Sequence, residues 1–267
     1  LPIYSNEAPL RRAISHLSFD SNATPIQKLR QVYDWMQASF RNLSLLSREE
    51  SEQVDWDNEK LQDNDINSLL QLRQGNSWQL SELFYGYAKL FGIAAEPVYV
   101  CDRTDTRFNF GYLNLRQFDS LLIRLSGSEL AQPVYVAPAM GLPFGQVPWW
   151  YAGADALVVN PAGGALVYPV SPSTPDESQS TTVATLTLTA AGTTNARWTS
   201  SGTGQYGYSE RRQLRRMTPE DRTRQLRNTC GESANFAVHR SNMPAVLDLS
   251  QRYELSCEGE LLDAQFD

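Results

Sequence analysis

The apolar positions change period along the chain, and each change marks an element. After a Gly75-Asn76 turn, Leu80, Leu83, Phe84, Tyr87, Leu90 and Phe91 recur at helical spacing. They predict a helix from about Ser77 with one apolar face. Gly92 suits the left-handed residue that stops such a helix, and Pro97-Val98-Tyr99-Val100 then reads as a buried strand. Upstream, Leu10, Ile14 and Leu17 share one face of a short helix over 6–18. Thr24, Pro25 and Gln27 supply the cap, the first helical position and the capping box of a second helix. Its stripe is Ile26, Leu29, Val32, Tyr33, Met36 and Phe40. A third helix, from Ile66 to Arg73 with Asp65 as its cap, delivers the chain to the Gly-Asn turn.

Beyond Asp102 the period shortens. Residues 109–114 are loop-like and aromatic, and strands are predicted near 118–125, 133–137 and 156–159. Trp149, Trp150 and Tyr151 follow Pro148, and three adjacent large aromatics cannot all be buried on one face of a regular element. Pro169 to Ser180 has the composition of a linker. Strands are expected again over 182–189, 196–200, 234–239 and 252–258, with one helix from Thr218 to about Thr229. The expected domains are therefore 1–168, a linker over 169–180, and a β-rich C-terminal domain over 181–267.

At 267 residues the chain can bury a sizeable core, and its 41% hydrophobic and 20% charged content is that of a globular protein. No stretch has the apolar length of a membrane span. A net charge of −7 gives no reason to expect nucleic acid or an anionic membrane as partner. Charge is nevertheless uneven. Glu49 to Asp65 holds eight carboxylates and one lysine, whereas Arg211 to Arg227 holds seven arginines against two carboxylates. Each reads first as a solvated surface. The chain opens on Leu1 without a signal peptide, so a piece of a longer protein is expected.

The plan of turn, polar residue at a helix start, buried helix, glycine and strand resembles the core of the transglutaminase-like superfamily. Asp34-Trp35-Met36-Gln37 through Phe40 is similar to the helix with which such cores open. In that family a cysteine opens the central helix about fifteen residues before a Gly-Ile pair; counting back from Gly92-Ile93 reaches Ser77. The family's histidine position falls on Ser120, in Phe118-Asp119-Ser120-Leu121, and its aspartate position on Ala137, in Tyr135-Val136-Ala137-Pro138. The resemblance implies an α+β fold: a transglutaminase-like (papain-like) core of N-terminal helices on an antiparallel sheet, then a small β-rich domain with one helix. It also implies an exported, periplasmic setting.

What it does not supply is the chemistry. A serine or cysteine nucleophile needs a base within hydrogen-bond reach. The only histidines are His16, in the first helix, and His239, in a predicted C-terminal strand. With Ser77, Ser120 and Ala137 in the three positions, the expectation is a catalytically inactive module that binds or scaffolds. Its old cleft, lined by Trp78, Trp149, Trp150 and Tyr151, would hold an extended peptide or glycan. The competing reading is a cysteine- or serine-dependent peptidase or acyltransferase with a relocated site. No cofactor is implied, and no residues show metal-ligand spacing. Cys230 and Cys257 are either one disulfide in an oxidising compartment or two buried thiols. Cys101 is read as packing, with a displaced nucleophile as the alternative.

Overall fold

A computed structural model of the chain describes residues 7–46, 48–56, 65–112, 114–159, 164–190, 193–215, 217–231, 236–243 and 253–261. The fold is α+β. In chain order the elements are α1 (Glu7–Ala13), α2 (Pro25–Ser39), β1 (Arg41–Asn42), α3 (Arg48–Glu52), α4 (Ile66–Leu72), β2 (Gln74–Gly75), α5 (Ser77–Leu90) and β3 (Ala94–Val100). There follow β4 (Ser120–Ser126), β5 (Val134–Val136), β6 (Asp155–Val159), β7 (Ala165–Pro169), β8 (Ser180–Leu188) and β9 (Thr194–Gly202). The last are α6 (Gly204–Arg215), α7 (Pro219–Thr229), β10 (Phe236–Asn242) and β11 (Tyr253–Leu261). Contacts divide the chain into two compact units, residues 1–46 with 50–173 and residues 47–49 with 174–267.

Local chemistry accounts for the helices of the first unit. Thr24 caps α2 reciprocally with Gln27, and Asn76 caps α5 reciprocally with Gln79, so each helix start has two otherwise orphaned N–H groups satisfied. Gly92, at a φ of 71°, ends α5 and turns the chain into β3. Its five-stranded antiparallel sheet runs β5-β4-β3-β6-β7. Alternation along β4 fills both of its faces. Leu121, Ile123 and Leu125 pack into the helical layer with Leu29, Tyr33, Leu83 and Phe84. Leu122 joins Val98, Val100, Tyr151 and Val158 on the opposite face. This explains why Leu121-Leu122-Ile123 is a continuous apolar run rather than an alternating one.

Two features were not read from the pattern. Strand β7 ends where the linker was expected to begin, and it was not expected, since all five of its residues are exposed and carry no alternation. The short parallel pair β1–β2 sets Asn42 opposite Gly75. A Cβ at Gly75 would stand 2.4 Å from Leu69 Cδ1, so a larger residue there would push that side chain aside.

The second unit is a four-stranded antiparallel sheet in the order β10-β11-β9-β8. Two helices accompany it rather than the single one expected. The additional helix, α6, begins Gly-Gln-Tyr-Gly and lacks a recurrent apolar stripe, yet Tyr208 and Leu214 are buried. Gly207 makes its approach possible, since a Cβ there would meet the Gly202 carbonyl oxygen at 2.9 Å. Beneath the helices lie Ala196, Phe236, Val238, Tyr253 and Leu255. Cys230, at the end of α7, is bridged to Cys257 of β11, with Cα atoms 5.7 Å apart. Among the described residues no helix is long and apolar enough to cross a membrane.

Candidate functional site

The start of α5 is built by nonlocal contacts. Ser77 is the first residue of that helix, and the β1–β2 pair brings the buried Asn42 to it. Asn42 Nδ2 donates to Ser77 Oγ at 3.1 Å and to the Ala139 carbonyl oxygen at 2.6 Å. Its Oδ1 accepts from the Ser44 N–H at 2.9 Å, and the Ser77 N–H donates to Ser44 Oγ at 3.1 Å. A side-chain amide neither takes a proton at neutral pH nor leaves as one, so the Ser77 hydroxyl has no base in this network. Gln37 Nε2 donates to the Pro138 carbonyl oxygen. The run 138–139 is therefore held by two amide side chains from α2 and β1.

Ser120 and Ala137 lie in different surroundings. Ser120 opens β4 and is buried on the Leu122 side, near the Tyr151 hydroxyl. Ala137 belongs to the same apolar cluster as Tyr151. Ser77, by contrast, is hydrogen-bonded to Asn42 and Ser44. Through Asn42 the Ser77 network also reaches the Ala139 carbonyl oxygen, two residues beyond Ala137.

Tyr151 is only 5% exposed, so of the three consecutive aromatics it packs inward while Trp149 stays 44% exposed and Trp150 lies between. Its hydroxyl donates to Asp119 Oδ1 at 2.9 Å, and Asp119 Oδ2 accepts from the Asp102 N–H at 2.8 Å. Burial, reinforced by the neighbouring Asp119 carboxylate, raises the Tyr151 hydroxyl well above its ordinary value and keeps it a donor. Arg103 lies over the Trp149 ring, 5.6 Å from its centroid, and donates from Nε and Nη2 to the Trp149 carbonyl oxygen. Cation and ring attract, so the exposed indole is held in place rather than swinging freely.

Trp78 is half-buried, and its ring centre is 5.7 Å from that of Tyr99. From there a row of rings continues through Phe118 at 5.8 Å, Phe108 at 5.1 Å and Phe110 at 6.4 Å. The row starts beside Ser77 and ends on the loop between β3 and β4. There Phe110 is 62% and Tyr112 60% exposed, and Leu115 is exposed as well. Sequence reasoning identified this loop as aromatic but not as the end of a row. The missing signal is tertiary, because Trp78, Tyr99 and Phe118 sit on three different elements.

The remaining candidates are Cys101 and the two histidines. Cys101 is buried, and burial followed by the Asp119 charge pushes its thiol up, away from the thiolate form that attacks. His16 is exposed and meets Trp35 edge-on at 5.5 Å. His239 lies on β10, with Nε2 3.8 Å from Glu260 Oε2. Among the described residues, no three His, Cys, Asp or Glu side chains gather as a metal site. No protein-family model, curated protein or solved structure matches this chain.

Proposed function

We propose that this chain is a non-catalytic module with a transglutaminase-like core, exported from the cell, that binds an extended peptide or glycan across the face where β3 and β4 are joined. The observation that carries the proposal is Ser77. It stands where a nucleophile would profit from the N-terminal end of a 14-residue helix, yet its side-chain oxygen is bonded to an amide. Removal of nucleophile, base and orienting acid together removes the mechanism rather than weakening it. The binding half of the reading rests on the aromatic row and on Trp149. Exposed, immobilised rings offer large contact area at small entropic cost, to sugar faces and apolar side chains alike. The buried disulfide supports an oxidising compartment.

The reading is tested with a displayed random-peptide library and a panel of soluble oligosaccharides, selected on the intact protein. Binding is expected in one of the two sets and should be lost in a Phe110→Ser, Tyr112→Ser double variant that keeps the wild-type melting temperature. Ligands whose affinity the double variant leaves unchanged would remove this face from consideration. Ser77→Cys is expected to gain no amide-hydrolysing or acyl-transferring activity, because the thiol would still lack an imidazole to take and return the proton.

A further inference from the structure

Edge strands expose unpaired N–H and C=O groups, and proteins guard them with shortness, proline, charge or bulges. Among the described residues, three of the four edges of the two larger sheets carry such a guard. Strand β5 has only three residues, and β7 has five and ends in Pro169. Strand β10 breaks register between Val238 and Arg240 and presents His239 and Arg240 to solvent. The fourth edge, β8, has none. It runs nine residues, Ser-Thr-Thr-Val-Ala-Thr-Leu-Thr-Leu, without a charge, a proline or a register shift, and every residue is exposed.

The sheet face adds a second observation. Pairing places Ala184, Leu186 and Leu188 opposite Trp198, Ala196 and Thr194. Trp198, Ala196 and Thr194 lie on the side that carries the cluster under α6 and α7. Ala196 and Thr194 are buried there, whereas Leu186 and Leu188 are 62% and 61% exposed. The core-facing side of β8 is therefore left exposed, and it adjoins the unguarded edge.

We propose that β8 is a self-pairing edge: two copies of the chain join antiparallel along β8, about a two-fold axis, into one continuous eight-stranded sheet. The occupant follows from complementarity. The edge asks for an extended strand without charges and with its own free hydrogen-bonding edge, and each copy carries that strand. An alignment centred on Ala184 sets Thr182 against Leu186 and Ser180 against Leu188 on the core-facing side. It sets Thr181 against Thr187 and Val183 against Thr185 on the other. No like charges oppose one another, and β-branched and hydroxyl side chains make favourable cross-strand pairs. The contact is isologous, so it closes at two copies. The bulged, charged β10 edge does not extend it.

Sedimentation equilibrium over a range from micromolar to millimolar tests this on the disulfide-bonded protein. The wild type should pass from monomer to dimer, and a Leu186→Lys, Leu188→Lys variant should stay monomeric throughout. Both positions face solvent in one copy, so the variant's melting temperature at low concentration should match the wild type. If it does not fold, Val183→Lys on the opposite face serves the same purpose. Hydrogen exchange of the wild type should slow over 180–188 as concentration rises. A monomer at every concentration, a dimer that the lysines leave intact, or protection over 165–169 instead would each overturn the proposal.

Discussion

Replacing Asn42 by alanine should destabilise the first unit far more than replacing Ser77, although Ser77 is the residue that opens α5. The substitution removes the bonds of Asn42 to three partners: the Ala139 carbonyl oxygen, the Ser44 N–H, and the Ser77 hydroxyl, which accepts from Nδ2 at 3.1 Å and donates to Oδ1 at 3.4 Å. At about 1 kcal/mol net for each, the loss is about 3 kcal/mol, and the buried Ala139 carbonyl left without a donor adds to it. Ser77→Ala removes one hydroxyl partner, with its 3.1 and 3.4 Å contacts, from an amide that keeps its shorter bonds to Ala139 and Ser44, and should cost less than about 1 kcal/mol. Urea unfolding followed by tryptophan fluorescence reads both. With a slope of about 2 kcal/mol/M, Asn42→Ala should move the midpoint of the first unit down by about 1.5 M. Equal costs for the two variants, or an Asn42→Ala cost below about 1 kcal/mol, would show that Asn42 is not the tie that holds the helix start.

Two further outcomes are expected. Intact mass under non-reducing alkylation should show a single modified thiol after unfolding. Breaking the Cys230–Cys257 bridge, which closes a loop with a sequence separation of 27, should destabilise the second unit by about 3.5 kcal/mol in the chain-entropy treatment. Glu82, raised by burial above the ordinary carboxylate range, binds its proton more tightly folded than unfolded. Its contribution to stability is thus fully present below the unfolded value and is lost as pH rises through the folded one. Glu82→Gln should therefore gain on the wild type between acid and neutral pH in urea titrations, and an unchanged difference would contradict the assignment.

How much of this was legible before the structure depends on whether the cause is local. The α2 and α5 starts were readable because Thr24 with Gln27, and Asn76 with Gln79, act over three residues. Strand β4 announced itself by an apolar run long enough to fill two faces. The extra helix α6 was not readable, because its first turn is glycine-rich and its few buried side chains are held by Gly202 and Gly207 approaching closely. At the candidate site the same division holds. That Ser77 opens α5 could be read from the Gly75-Asn76 turn just before it. Asn42 could not, because it lies 35 residues away and reaches the helix start through a two-residue parallel strand pair. Nor could Arg103 on Trp149, a pairing across 46 residues.

The central claim, that this core binds without catalysing, is tested most directly by covalent labelling of the native, disulfide-bonded protein. A fluorophosphonate probe for serine and an iodoacetamide probe for thiols are applied in parallel to native and urea-unfolded chain, and adducts are mapped by peptide mass. The account predicts that Ser77 reacts no faster in the native protein than in the unfolded chain, and that the buried Cys101 reacts only after unfolding. Selective labelling of Ser77 or Cys101 in the native state, faster than in urea, would mean that the fold activates a nucleophile, and the non-catalytic reading would be wrong.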